Sequence, residues 1–421
     1  MDQTQQGVSR RRVFHIPGYD PIHPRRYREL YRTESAAQAE ISGYEIGIRA
    51  DHGEGAFRWQ VGARIDGKPV LTEIEMMIWS DIVRDSMAQS IPATYLQLIQ
   101  TAWLYISTGT LRRLMLMRKG PVIAALYPVL MLLFQLLTAL ILAGIASSWL
   151  ERGLLAIPGL FGWGIPTVLA WFAWATSWAL FATIVVIVLR WWKARDNKLF
   201  AYYLMHDYAF SARLRGENPP ALEARMAAFS ATIAKALAED VDEVLVVGHS
   251  SGAHLAVSVL ADVIRAGHLR EDGPKLAFLS LGQVVPMVSF LPRARRLRRD
   301  LAFLSEQDGI TWLDVTAPGD GCCFALCDPV AVSGVGKDDK RWPLVISAAF
   351  TQSLSPARWK ALRWRFFRLH FQYLCAFDRP KDYDYFQITA GPLTLAERYR
   401  DRKPSGSRID LPVSKYTSVL P

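Results

Sequence analysis

Ser250 stands in Gly248-His249-Ser250-Ser251-Gly252, after the β-branched run Val244 to Val247 and before a stretch where Leu255, Val259 and Val263 recur on one helical face. The segment therefore reads as strand, tight turn and helix. Small residues two before and two after the serine are what a sharp turn demands, because a serine held there leaves no room for side chains on either flank. Such a turn lifts Ser250 out of the sheet. A serine hydroxyl is a poor nucleophile until a base takes its proton, and the base must be oriented by an acid. Ser250 thus needs an imidazole and a carboxylate delivered by other parts of the chain. The competing reading is a glycine-rich strand-to-helix turn with no chemistry.

Placed between that strand and that helix, the G-x-S-x-G turn resembles the nucleophile elbow of the α/β-hydrolase superfamily, and residues 11–85 and 241–400 are similar to it in order of elements. The resemblance implies a mostly parallel sheet flanked by helices, and triad members in the order serine, acid, histidine. Asp320, in an Ala-Pro-Gly-Asp-Gly turn just past the strand expected at Ile310 to Val315, is the preferred acid. Asp328, in Cys-Asp-Pro, is the alternative, and Asp314 within the strand points to a fixed face. Only His370 lies beyond both candidate acids, so it is the expected base. His249 and His254 read as packing or hydrogen-bonding residues, and His15 as a neighbour of the oxyanion loop. In this family one oxyanion donor is the N–H after the nucleophile, here Ser251, and the other follows an early strand, commonly just after a His-Gly pair. This chain has His15-Ile16-Pro17-Gly18 there. Pro17 lacks an N–H, which leaves Tyr19 as the second donor. The implied reaction is hydrolysis of an ester or thioester of a lipid-like acyl group, needing no metal or organic cofactor. An acyltransferase with the same triad, and a non-enzymatic membrane scaffold with a hydrolase-like fold, stand as alternatives.

The elements that must position these residues fall in three blocks. In residues 1–110 a strand breaks at Pro17-Gly18, a helix over 24–40 carries Tyr27, Leu30 and Tyr31, and strands follow at 44–50, 56–61 and 70–79. Asp51-His52-Gly53-Glu54-Gly55 and Asp66-Gly67 are the turn signals between them, and two of these strands read as an edge extension. Trp79-Ser80-Asp81 closes the last one, either in a structural role, which is preferred, or as a lining of the site. Residues 201–421 begin with helices broken at Asn218-Pro219-Pro220 and continue through the elbow to a strand at 275–286. Residues 111–200 differ in kind. No charged residue occurs from Pro121 to Leu150, and the tryptophan-rich stretch Gly153 to Leu189 is almost as apolar. About 20 apolar residues cross a hydrocarbon core, so these are two spans, about 121–147 and 166–189, forming a transmembrane hairpin.

Basic residues set the expected orientation: Arg112, Arg113, Arg118 and Lys119 precede the hairpin, Arg190, Lys193, Arg195 and Lys198 follow it, and its loop has only Glu151 and Arg152. Both termini and the catalytic part are then cytoplasmic, on a bacterial inner membrane. The start MDQTQQGVSRRR has no apolar core of a secretory signal. A net charge of +10 without a nucleic-acid motif points to an anionic bilayer, and Arg293, Arg295, Arg296, Arg298 and Arg299 form either a solvated helix face or a headgroup contact. Cys322, Cys323, Cys327 and Cys375 read as reduced thiols and not as metal ligands, since no histidine stands beside the group of three.

Overall fold

A computed structural model describes residues 7–50, 56–87 and 89–420. The expected turn at Asp51 to Gly55 lies outside the described residues. The fold is α/β, built on an eight-stranded mixed sheet: β1 (Arg10–Ile16), β2 (Glu45–Ala50), β3 (Arg58–Ile65), β4 (Lys68–Met76), β5 (Glu243–His249), β6 (Lys275–Leu281), β7 (Ile310–Thr316) and β8 (Leu344–Ser347). Their spatial order is β2-β3-β4-β1-β5-β6-β7-β8, with β4 to β8 in that order mutually parallel and β2 and β3 antiparallel at one edge. Side-chain pattern explains which strand goes where. β5 is buried at every position, as a central parallel strand covered on both faces must be. β3 buries Trp59, Val61, Ala63 and Ile65 in alternation, the mark of a strand with one solvated face. Asp66 and Gly67, both at positive φ, turn β3 into β4 as a two-residue hairpin. β8 is four residues long and escaped the periodicity reading for that reason.

Alternation along the central strands divides the core between two faces. Leu245, Val247, Leu279 and Leu313 join Tyr31, Phe350, Tyr373 and Phe386 in one cluster. The opposite face is covered by the helices Pro220–Ala236, Gly252–Arg265 and Arg295–Ser305, of which the middle one packs on β5 and on the other two. The basic run belongs to the last helix and is partly consumed internally, which neither sequence reading of it anticipated. Arg298 is buried and donates to the carbonyls of Ser289, Leu291, Pro292 and Ser418, so it closes a helix end and ties down the C-terminal tail. Arg296 pairs with Glu223 and Asp262.

At the amino ends of the strands Arg11 and Glu243, register partners on β1 and β5, form a buried ion pair with 2.6 Å between Nε and Oε2. Arg11 also donates to the carbonyls of Gly391 and Leu393, and Glu243 accepts from the Leu395 N–H. Every strong donor and acceptor of the pair is thereby occupied, the condition under which two desolvated charges are tolerated.

The described chain divides into two compact units, one of residues 1–86, 103–123 and 211–421, the other of 87–102 and 124–210. The second is helical. Its helices Lys119–Ala156 and Thr167–Lys193 are 38 and 27 residues long, the first turn of the former belonging to the sheet unit. At 1.5 Å per residue the shorter one extends ~40 Å. Both are long and apolar enough to cross a membrane. Three of their threonine hydroxyls stay within the helix: Thr138, Thr176 and Thr183 donate to the carbonyl four residues back, as an apolar surrounding favours. Leu98, Leu132, Tyr202 and Met205 form the inner core of this unit, and His206 is buried against Gln97 with 2.9 Å between Nδ1 and Oε1.

Replacing Glu243 by Ala should cost about 3–5 kcal/mol, because it strands Arg11 as a buried uncompensated charge. Thermal denaturation of the purified full chain in mild detergent measures this, and a midpoint within a degree of the parent would show the pair to be dispensable.

Candidate active site at the carboxyl ends of the parallel strands

From β1 the chain leaves toward β2, β3 and β4 on one side, and from β5 it leaves toward β6, β7 and β8 on the other. Where neighbouring parallel strands send their connections opposite ways, a crevice opens at their carboxyl ends. Here its walls are Pro17-Gly18-Tyr19 after β1 and Gly248 to Gly252 after β5. The contact is tight. A Cβ on Gly252 would lie 2.1 Å from the Ile16 carbonyl oxygen and 2.6 Å from that of Pro17, and one on Gly248 would lie 2.7 Å from the Ala253 Cα. Both outer glycines of G-x-S-x-G are therefore required sterically, one by the β1 loop and one by the first turn of the helix. Gly18 meets Ser250 from across the crevice, with 3.0 Å between its notional Cβ and the serine Cβ.

Ser250 has φ of +57°, in the left-handed region that a serine adopts at a cost on the order of 1–3 kcal/mol. Its N–H donates to the Leu281 carbonyl at 2.9 Å and its carbonyl accepts from Ala253 at 3.1 Å, and these bonds fix the strained turn. Trp79 holds the facing loop, its indole N–H donating to the Pro17 carbonyl at 3.0 Å.

Asp320 follows β7 in a turn closed by its own N–H on the Ala317 carbonyl, and His370 ends the short helix Phe366–His370. The structure brings these two together, with 2.7 Å between His370 Nδ1 and Asp320 Oδ2, both side chains buried. The neighbourhood then sets the direction of that bond. Burial alone would raise the Asp320 carboxyl, but the charge and hydrogen bond of His370, helped by the Cys322 N–H, outweigh it and hold the group below its ordinary value. An ionised carboxylate accepts, so Nδ1 donates the proton of this bond. Nε2 is buried and has no hydrogen-bond partner among the described residues. His370 also borders Gly282, whose notional Cβ lies 3.0 Å from its Cε1, and Gly282 directly follows Leu281, the acceptor of the Ser250 N–H.

Two residues of this cluster escaped the sequence reading. The Tyr373 hydroxyl donates to the same Asp320 Oδ2 at 3.1 Å, and the Cys322 N–H donates to Oδ1 at 2.9 Å, so both carboxylate oxygens are held. Tyr373 is three residues past His370, and nothing but that proximity marked it. His249 takes the hydrogen-bonding role read for it: its Nε2 lies 3.0 Å from the His370 carbonyl oxygen and its ring stacks 4.8 Å from the His370 ring. Its imidazole is held neutral, far below the ordinary range, by burial and by His370.

The remaining candidates lie elsewhere. Asp328 caps the turn Pro329–Val332 through the N–H groups of Val330 and Ala331 and pairs with Lys340 at 2.6 Å. Asp314 is buried on β7 against Ser280, where burial pushes its carboxyl up to about 8. His254 is buried on the elbow helix, and His15 is buried 3.4 Å from the Tyr385 hydroxyl. Of the two expected oxyanion donors, Ser251 begins the elbow helix as its N-cap, and the Tyr19 N–H donates to the Ser251 Oγ at 2.8 Å.

The cysteine group does have a histidine close by, contrary to the sequence expectation: ligand atoms of Asp320, Cys322 and His370 lie within 4.8 Å of one another. The 2.7 Å contact decides what sits between them. Two ligands on one zinc ion stand about 3.4 Å apart, given bonds near 2.1 Å and tetrahedral angles. The Asp320–His370 spacing is that of a shared proton. No disulfide joins the four cysteines, and burial raises the Cys323 thiol well above its ordinary value.

His15, His249 and His254 are all neutral in the fold, held down by burial, the first to about 3 and the last to about 4. Below pH 6.5 the unfolded chain binds these protons and the native chain does not, so stability present above that pH is lost as pH falls toward 4. Asp314 acts in the opposite sense, being protonated in the fold up to about 8. Three groups outweigh one, and the thermal midpoint should fall between pH 7 and pH 5. A midpoint that is flat or rises over that interval would contradict the buried neutral imidazoles. Comparison of the chain with protein-family models, with curated proteins and with solved structures finds no match.

Proposed function

We propose that this protein is a membrane-anchored serine hydrolase of the α/β-hydrolase type, acting on an ester or thioester of a lipid-like acyl group. The observation that carries the reading is the buried Asp320–His370 hydrogen bond, which leaves Nε2 without a partner among the described residues, Ser250 Oγ included, while Ser250 stands on a left-handed strand-to-helix turn. In this reading Ser250 Oγ attacks the acyl carbonyl carbon while His370 Nε2 takes the hydroxyl proton. Asp320, held at both oxygens, stabilises the imidazolium so formed. The tetrahedral intermediate collapses by expelling the alcohol or thiol, which leaves with the proton from Nε2. Water then attacks the acyl-enzyme, again through Nε2, and releases the acid and Ser250. The Ser251 and Tyr19 N–H groups would bear the oxyanion. The Tyr19 N–H is occupied by the Ser251 hydroxyl at rest, so that hydroxyl must rotate away as charge develops.

Ser250→Ala should abolish both ester turnover and labelling of the full chain by a fluorophosphonate probe. Labelling that persists would place the nucleophile elsewhere. Absence of labelling in the parent chain would favour a non-enzymatic scaffold, and ester formation with an added alcohol in preference to hydrolysis would favour an acyltransferase.

His370→Ala should cost nearly as much turnover as loss of Ser250, since the members act as a unit. Asp320→Asn should cost a large but smaller factor, and Asp328→Asn little. Retained activity in Asp320→Asn with loss in Asp328→Asn would transfer the acid role.

The two long apolar helices support a hairpin that crosses an inner membrane and returns, with both termini cytoplasmic. Tags at the two termini should be reached from the cytoplasmic side alone, and a cysteine replacing Gly159 from the opposite side. A terminus on the far side would require an odd number of spans.

A further inference from the structure

The stretch that delivers His370 is basic and aromatic. Between Pro356 and His370 it carries Arg358, Lys360, Arg363, Arg365 and Arg368 with no acidic residue. Arg358 lies 3.7 Å from Glu34, while the other four are exposed and none of them pairs with an acidic side chain among the described residues. Large aromatic side chains stand out among them: Trp364 is 73% exposed and Phe366 48%. Exposed indole and phenyl rings interleaved with arginines that no acidic side chain neutralises suit the headgroup layer of an anionic bilayer, where rings enter the acyl boundary and guanidinium groups meet phosphate.

Position supplies the second observation. Gly321, next to Asp320, touches Phe366 on one side, with 3.4 Å from its notional Cβ to the ring. On the other side its Cα lies 3.5 Å from the notional Cβ of Gly120, in the first turn of the helix Lys119–Ala156. Arg118 fastens that turn to the sheet unit through the carbonyls of Ala325 and Ser407. The aromatic stretch is therefore continuous, through one glycine, with the point where the first apolar helix begins.

We propose that Pro356–His370 is a docking surface for the anionic face of the bilayer, a reading that rests on the hairpin crossing that bilayer. Trp364 and Phe366 insert at headgroup level, and Arg363, Arg365 and Arg368 hold the lipid phosphates. The short helix ending in His370 is then seated on the membrane surface as well as on the protein.

The full chain in vesicles of phosphatidylethanolamine and phosphatidylglycerol tests this by photocrosslinking with Trp364→p-benzoylphenylalanine, read by the mass of the adduct. The same replacement at Leu137, exposed within the first apolar helix, and at Asp401, exposed on the sheet unit, gives the two references. Lipid adducts are expected at 364 and 137 and not at 401. Combining Arg363→Glu, Arg365→Glu and Arg368→Glu should lower the adduct at 364 by about tenfold and leave that at 137 unchanged. A lipid adduct at 137 with none at 364, or with a polypeptide adduct at 364, would overturn the docking surface alone. An undiminished adduct at 364 in pure phosphatidylcholine would overturn the anionic assignment. Absence of lipid at 137 would remove the hairpin, and the docking surface with it.

Discussion

The constraint on which the rest depends is the approach of the backbone at Gly252 to the carbonyls of Ile16 and Pro17. No side chain fits between them, so the start of the elbow helix is held directly against the loop after β1. That contact forces the turn at Ser250 into the left-handed region, because the chain must leave β5 and enter the helix within one residue. It also places the Tyr19 N–H within 2.8 Å of the Ser251 hydroxyl and lines the crevice with backbone instead of side chains. The strain at Ser250 is borne by the parallel ladder on either side of β5, which is why the turn belongs in the middle of the sheet and not at an edge.

A second set of constraints surrounds the acid. A buried carboxylate is costly unless its lone pairs are met, and Asp320 meets them with an imidazole, a phenol and a backbone N–H. The same low-polarity surroundings that make Asp314 a neutral acid leave Asp320 ionised, and the difference lies in the donors each one receives. Asp314 receives the Ser280 hydroxyl on one oxygen and leaves the other without a partner among the described residues. Two aspartates six positions apart on and after one strand thus hold opposite charge states.

How much of this was legible in the sequence depended on range. The elbow was legible because its glycines answer to contacts within a few residues and one neighbouring loop. The edge extension was legible in part, from the alternation of Trp59 and Val61 and from Asp66-Gly67 as a turn; the strand expected at 56–61 runs from Arg58 to Ile65, and its antiparallel sense comes from the structure. The pairing of Asp320 with His370 came from chain order, and the structure adds its geometry. Tyr373 was not legible, and for His249 only a hydrogen-bonding role was, without its partner, since each is defined by a contact dozens of residues away. Arg298 is the plainest case: five arginines in seven positions read as a surface, and one of them is buried because four carbonyls happen to converge on it. β8 was missed because four residues carry too little period to recognise.

The position of β1 between β4 and β5 has a consequence for the order in which the chain is assembled. Strands β1 to β4 are synthesised before the two long apolar helices, while β5 comes after them. Until residue 243 has been made, β1 presents an open parallel edge, its buried Arg11 lacks Glu243, and the strained serine does not yet exist. The amino-terminal half therefore waits as a half-sheet with an unpaired strand edge, the arrangement most prone to pairing with another chain. Three arginines, Arg10 to Arg12, occupy that waiting strand and discourage such pairing. If the hairpin is inserted as it is made, the bilayer keeps the half-sheet near the site where its missing neighbours emerge, and the anchor serves the nascent chain before it serves the finished protein.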